Sequence, residues 1–257
     1  MTGLPYFDLR GKVAVITGGG AGIGRGIADG LAEAGADIVI GSRRLEQCAA
    51  ACNEIAAQTG IKTLPLAFDL RDPVSVEKFV ANIGRIMGHI DILVNNAAVI
   101  EEKLILDMEE SDWDLMLDTN LKGVFRLSKA VVKKMVERNQ GGKIINVASI
   151  AGLIAWPKMS AYCASKGGCI QLTKVMALEW AKYNIQANAI LPGYFLTPMS
   201  TEFVHSDTGD KVIKSDVPMR RVADINEVKG LAVLLASAAS SYITGASFTI
   251  DGGQSCR

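Results

Sequence analysis

The fold class this sequence predicts is a doubly wound α/β domain: a mostly parallel sheet with helices on both faces, in three αβα layers. Three observations point there. Short apolar runs rich in β-branched residues alternate with helical stretches along the whole chain. The first of these runs leads straight into a glycine-rich turn that opens a helix. A proline, Pro65, sits inside the third run, where it cannot donate to a ladder and so belongs on an edge strand. In the strand order 3-2-1-4-5-6 the third strand is such an edge.

The elements follow in order. KVAVIT (12–17) is the first strand, and Ile23, Ile27 and Leu31 then recur at the spacing of one helix face until Gly35. DIVIG is the second strand, followed by a helix over 44–59 that ends at Gly60. TLPLAF is the third, followed by a helix that Asp72 and Pro73 open and Gly88 closes. After the strand DILVNN a long helix is predicted over 111–138, then the strand GKIINVAS, a helix over 160–182 and the strand IQANAIL. A helix over 225–237 and the strand SFTID finish the sheet. Residues 194–221 show no clear periodicity, and a stretch of that length reads as a substrate-binding loop or lid. It follows a strand, which is where ligands sit in open α/β sheets.

With 257 residues, 49% of them hydrophobic, the chain supports one domain over 1–257 that builds its core without staples. Lys plus Arg and Asp plus Glu both number 27, so no bulk field attracts nucleic acid or an anionic membrane, and neither is expected as a partner. The opening MTGLPYFDLRGK lacks the apolar stretch of a secretion signal, and the stretch around GLAVLLASAA is too short for a membrane span, so a cytoplasmic location is expected. Cys48, Cys52, Cys163, Cys169 and Cys256 form no CxxC pair; they read as reduced and mostly buried, with no metal site expected.

The turn TGGGAGIGRG has the context of a dinucleotide site, between a strand and a helix. Gly18 permits a tight turn, Gly22 lets the backbone come near a pyrophosphate, and Gly24 lets the helix pack on the sheet. The helix N-terminus then offers unpaired N–H groups and a positive dipole end to phosphates. At the end of the second strand, an NAD site wants a carboxylate for the ribose 2′-hydroxyl, but this chain has Ser42, Arg43 and Arg44. A guanidinium grips a 2′-phosphate that a carboxylate would repel, so NADP is favoured over NAD. Asp69 ends the third strand, where an adenine edge could be contacted.

In SAYCASKGG, Tyr162 and Lys166 stand four residues apart and share a helix face. An ammonium about 4 Å from a phenol oxygen, at an effective dielectric near 20, favours the ionised form by about 4 kcal/mol, which suits a phenol that must exchange a proton with a carbonyl or alcohol oxygen. Ser149 ends the fifth strand and can donate to the same oxygen from the other side. Asn120 lies inside a long helical stretch where asparagine is a mediocre helix former, and is a candidate to hold a water linking the lysine to solvent.

Taken together, Thr17-Gly18-x-x-x-Gly22-x-Gly24, NNAA at 95–98, Asn120, Ser149, Tyr162-x-x-x-Lys166 and Pro192-Gly193 followed by Thr197 resemble the short-chain dehydrogenase/reductase family over essentially the whole chain. The resemblance implies a Rossmann-fold oxidoreductase with NAD(P), in which Tyr162 is the general acid/base and Lys166 supports it and holds the nicotinamide ribose. By the same resemblance, Ser149 orients the substrate oxygen and Asn120 carries a relay water. It also implies that Gly18, Gly19, Gly20, Ile23, Gly24, Asp69 and Leu70 line the cofactor, together with Asn96, Pro192, Gly193, Phe195 and Thr197. A homotetramer joined through the two long helices and the last strand is expected.

Two positions depart from the family pattern: Ala98 replaces a usual glycine, tolerable if its φ stays negative, and Phe195 replaces a usual Val or Ile. In general character the chain is similar to gluconate 5-dehydrogenase-like enzymes, which take small sugar acids, and to 3-oxoacyl-[acyl-carrier-protein] reductases. Polyols and other small ketones fit the first reading as well. A sensor of the same fold that binds dinucleotide without turnover is the alternative of another class, although it would have no need of Ser149, Tyr162 and Lys166 together. Trp156 and the cations Lys158, His205 and Arg220 are candidates to touch substrate.

Overall fold

Every residue of β1, Val13–Thr17, is buried, because this strand lies at the middle of the sheet with helices against both faces. The computed structural model describes residues 4–256, so the first three residues and the last one of the 1–257 span lie outside the described residues. Six further strands pair with β1 in the order β3-β2-β1-β4-β5-β6-β7: β2 Asp37–Ser42, β3 Thr63–Ala67, β4 Ile92–Asn95, β5 Gly142–Val147, β6 Ile185–Pro192 and β7 Ser247–Ile250. All pairings are parallel. Pro65 does sit on the edge strand, opposite Ile40, where its missing N–H leaves no bond unmade on the outer side.

Side-chain alternation along the strands divides the apolar residues between two cores. Val13 and Val15 join Leu93 and Ile144 on one face, under α3 (Pro73–Met87), α5 (Gly123–Arg138) and α6 (Ser160–Trp180). Ala14 and Ile16 join Ile38 and Val94 on the other, under α1 (Gly22–Glu33), α2 (Leu45–Thr59) and α9 (Lys229–Ala236). A fully buried Val, Ile or Phe side chain contributes about 1.5–3 kcal/mol, so the two layers together fix the helices against the sheet. The Asp72 side chain caps α3 by accepting from Val74 N at 2.9 Å.

Two expectations are corrected. The helix read over 111–138 is broken: α4 (Glu110–Leu117) and α5 are joined by a π-helical turn, Asp118–Lys122, that contains Asn120. Its side chain bonds outside the helix, and a π turn is a common way for a helix to present such a residue. The stretch 194–221 is partly helical, with α7 (Thr201–Val204) and α8 (Asp207–Asp216). Val204, Ile213 and Val217 form a small core of their own with Tyr194 and Val222. A helix as short as α7 cannot display a period, and Ser206 caps α8 by accepting from Gly209 N at 3.0 Å.

Lys143, half-buried at the start of β5, donates to Ser240 Oγ at 3.0 Å, and burial pushes its amine down to about 8. The folded state therefore holds this proton less tightly than the unfolded chain. The resulting cost is present below about pH 8 and fades as pH rises towards 10.5. Lys143→Met is expected to stabilise the protein at pH 7 by about 1–2 kcal/mol, allowing for solvent screening. Urea unfolding at pH 7 and again at pH 10.5 checks this, and a variant less stable than the parent at pH 7 overturns it.

Candidate active site

The carboxyl ends of the strands open into one cavity of about 940 Å³, a size suited to a dinucleotide and a small partner. At its centre β1 ends in Thr17, whose buried hydroxyl accepts from Asn96 N at 2.9 Å and Ala97 N at 3.0 Å and so locks the end of β1 to the end of β4. Gly18 turns the chain away with φ +66, a left-handed conformation that favours glycine, and its N–H donates to Gly41 O at 2.8 Å. Asn96 Nδ2 braces this turn by donating to Thr17 O at 3.0 Å and Gly18 O at 3.3 Å. Gly24 is the residue that makes room for it: a Cβ there would run into the Asn96 amide and lie 2.7 Å from Gly18 O.

The turn leads into α1, whose N-cap Ala21 offers no side-chain bond and whose first turn holds no acidic residue. Its first N–H groups are thus without a side-chain cap at the cavity, an arrangement that receives phosphate oxygens. Gly18, Gly20, Ala21, Gly22 and Ile23 line this part of the cavity. Gly19 and Gly24, read as cofactor contacts, do not: Gly19 faces Ile16 and Ile40, and Gly24 faces Asn96. Their contribution is to let the lining residues take their places.

At the far end of the cavity Ser42, Arg43 and Asp69 meet, with Leu70 beside them. Ser42 Oγ accepts from Arg44 N at 3.1 Å and bends the chain into α2. Among the described residues no carboxylate pairs with Arg43 or Arg44 within 4.0 Å, so both guanidinium groups stay open to an anion. Sequence reasoning missed Arg71, which also lines the cavity and pairs with Asp69 at 3.2 Å. Burial raises the Asp69 carboxyl, but hydrogen bonds from the Arg71 side chain and backbone, with the charges of Arg71 and Arg43, outweigh it and hold the group below its ordinary value. The signal was a basic residue two positions after Asp69.

The reactive groups converge near the middle. Ser149, half-buried at the end of β5, caps a short 3₁₀ turn by accepting from Ala151 N at 3.0 Å. Tyr162, in the first turn of α6, lines the same cavity with Ser149 and Lys166. Lys166 is 3% exposed; its Nζ donates to Val147 O at 2.9 Å and lies 5.6 Å from the centroid of the Tyr162 ring. Asn120 stands behind the cavity without lining it. Its Oδ1 accepts from Val99 N at 2.9 Å, and its Nδ2 donates to Val99 O at 2.8 Å and Ser165 Oγ at 3.2 Å. Both amide donors and one acceptor lone pair are therefore committed to protein, and Ser165 passes the brace on by donating to Tyr162 O at 2.8 Å.

Pro192, Gly193, Phe195 and Thr197 close one side of the cavity, together with Tyr194 and Met199, which sequence reasoning left unnamed. Phe195 is 2% exposed and packs in the core under α1 and α9. Ala98 is not among the described non-glycine residues with positive φ, which meets the condition for replacing a glycine. Trp156 packs against the core, while Lys158, His205 and Arg220 are exposed; none of the four lines the cavity.

A strand-end glycine turn, an uncapped helix N-terminus and a Ser149–Tyr162–Lys166 cluster in one cleft define a dinucleotide-dependent oxidoreductase of the Rossmann fold. Residues 18–255 match a family model described as enoyl-(acyl carrier protein) reductase. The chain belongs to the short-chain dehydrogenase/reductase family.

It is 40% identical over 254 residues to a 2-dehydro-3-deoxy-D-gluconate 5-dehydrogenase of Escherichia coli, covering 97% of this chain and 98% of that one. It is 38% identical over 246 residues to a 3-oxoacyl-[acyl-carrier-protein] reductase of Vibrio harveyi, covering 96% and 98%. The crystal structure of a gluconate 5-dehydrogenase from Burkholderia cenocepacia, in complex with NADP and tartrate, superimposes with a TM-score of 0.94 at 37% identity over 98% of each chain.

Proposed function

We propose that this protein is an NADP(H)-dependent dehydrogenase of a small sugar acid, converting a secondary alcohol and its ketone. The observation that carries the reading is the single cleft that joins Ser149 and Tyr162 to the glycine turn and to the unpaired Arg43. The residues fit the cofactor: the uncapped start of α1 suits the pyrophosphate, and Arg43 with Arg44 suits a 2′-phosphate. When bound, the nicotinamide supplies or takes the hydride. Ser149 Oγ holds the substrate oxygen, and Tyr162 gives or takes its proton. Lys166, fixed by Val147 O, sits one helical turn beyond Tyr162 and steadies it from within. Asn120 acts through Ser165 and Val99, bracing the turn that carries Tyr162.

The domain reading is one NAD(P)-binding unit whose 194–221 segment covers the substrate. Sugar acid is preferred to acyl carrier because of the surface beyond Val99 and Ile100, which line the cleft. There Glu101, Glu102, Asp107, Glu109 and Glu110 are exposed, while Lys103 is tied to Asp112 at 2.6 Å. A carrier rich in acidic residues would meet like charge, whereas a small acid brings one. A soluble cytoplasmic setting accords with the described residues, in which no helix is long and apolar enough to cross a membrane. Assembly as a tetramer through α5, α6 and β7 is supported by Phe125 at 49% and Leu178 at 82% exposure, apolar surface that a second copy would cover.

The test follows reduced-cofactor absorbance with D-gluconate, 2-dehydro-3-deoxy-D-gluconate and a 3-oxoacyl thioester, each with both cofactors. Turnover of a sugar acid with NADP(H) is expected to exceed thioester reduction by at least about tenfold in kcat/KM. A faster thioester reaction overturns the proposal in favour of the acyl reductase.

A further inference from the structure

β3 ends at Ala67, and the chain then leaves the sheet to form the far end of the cleft, where Phe68, Asp69, Leu70 and Arg71 line the cavity beside Arg43. Local bonds shape part of this segment: Asp69 N donates to Ser75 Oγ at 3.0 Å, and Arg71 N donates to Asp69 Oδ1 at 2.9 Å. Leu70 O lies beyond the end of the strand and must find its partner elsewhere. Arg126 of α5, 56 residues away in the chain, supplies it: its Nη1 donates to Leu70 O at 2.7 Å.

Arg126 is half-buried, and among the described residues no carboxylate pairs with its guanidinium. Withdrawing a cation partly from water for a single carbonyl is costly, and a methionine would cover the same apolar surface of α5 without a charge. The charge therefore has a use at Leu70. Gly123, one turn before Arg126 on the same helix, provides a second grip: a Cβ there would lie 3.1 Å from Leu70 Cβ, so the glycine lets the segment close onto α5. α5 thus holds Leu70 at two points, by its carbonyl and by its side chain. The helix is itself fixed to the cleft, because it continues from the π-helical turn whose Thr119 lines the cavity. Arg126 does not line the cavity, so any effect it has on a ligand there passes through Leu70.

We infer that Arg126 is a positioning residue for the cofactor: by pinning Leu70 O it holds Asp69, Leu70 and Arg71 in place for the adenosine half of the dinucleotide, and so determines affinity for that half without touching it. This deepens the NADP(H) reading and rests on it for the nature of the ligand. Asp69 and Arg71 flank Leu70 and pair with each other at 3.2 Å, so a shift of the Leu70 backbone displaces both charged groups at once. Ser149, Tyr162 and Lys166 hang on β5 and α6 instead, and the nicotinamide half gains nothing from the clamp.

Titration calorimetry tests this with NADP⁺ and with adenosine 2′,5′-bisphosphate, the adenosine half alone, on the parent, Arg126→Met and Gly123→Ala, each at about 0.05 M and about 0.5 M NaCl. Arg126→Met is expected to weaken both ligands by the same factor, at least about fivefold, as one charge-assisted hydrogen bond is lost. The loss is expected to persist at the higher salt, where the bare field of a distant cation is screened. Gly123→Ala crowds Leu70 from the other side with no change of charge and is expected to weaken the same two ligands, so it decides the matter if Arg126→Met folds badly. With NADP⁺ saturating, kcat and the KM for D-gluconate in Arg126→Met are expected within about twofold of the parent, a pattern that general loosening of the fold would not give. Unchanged affinity for the bisphosphate, a loss that disappears at high salt, or an equal loss in substrate KM overturns the inference. The calorimetry needs no turnover and decides equally well if the sugar-acid reading falls. Should the parent bind NAD⁺ more tightly than NADP⁺, the NADP(H) reading falls by itself; the same loss with NAD⁺ and 5′-AMP then upholds the clamp, and its absence overturns it.

Discussion

Tyr162→Phe is expected to lower kcat by about 10²–10⁴-fold, the usual contribution of a positioned general acid or base. The substitution removes one oxygen from the first turn of α6 and leaves the ring, the Ser165 bond to the Tyr162 carbonyl and the Lys166 bond to Val147 O in place. Because Tyr162 is half-buried beside the cleft, the lost hydroxyl opens onto the cavity and leaves no void inside the core. Thermal stability should therefore stay close to that of the parent, and NADPH fluorescence should report near-normal affinity. Steady-state rates on the best sugar acid give the comparison. Activity within about tenfold of the parent would remove Tyr162 from the role of proton donor.

Arg43→Asp is expected to shift the ratio of kcat/KM for NADP⁺ over NAD⁺ towards NAD⁺ by about 10²-fold. Losing a charge-assisted hydrogen bond to a 2′-phosphate costs about 1.5–3 kcal/mol, and a carboxylate in its place repels the phosphate and accepts from a free ribose 2′-hydroxyl. At about 1.4 kcal/mol per tenfold, the sum gives the factor stated. Arg43 is exposed and pairs with no carboxylate among the described residues, so little stability rides on it. Arg44 and Arg71 line the same end of the cleft and will retain part of the phosphate affinity, which limits the switch. An unchanged ratio would mark Arg43 as a surface charge only.

Where structure is local in origin, the sequence was read well. Strand and helix identity follow from periods of two and about 3.6; Asp72 opens its helix with a side-chain cap, and Gly60 and Gly88 close theirs by backbone preference, effects that act within a few residues. Pro65 marked its edge because a missing N–H has the same meaning in any context. The Tyr162–Lys166 pair shares a face for the same reason: one helical turn is a local fact. The segment 194–221 was harder, since its helices are short and their apolar residues meet only across the loop, Val204 with Ile213 and Val217.

Length, apolar alternation and the glycine turn were enough to point to a doubly wound sheet with a ligand cleft at its carboxyl rim, because each follows from geometry repeated along a single stretch of chain. Folding alone decided that Asn120 turns to Val99 and Ser165 and not into the cleft, and that Gly19 and Gly24 stand behind it. It also decided that Arg71 joins Arg43 at the far end of the cleft. These partners lie far apart in the chain, and which of many polar groups meet is determined by how the packed layers register against one another, a property that no local spacing encodes.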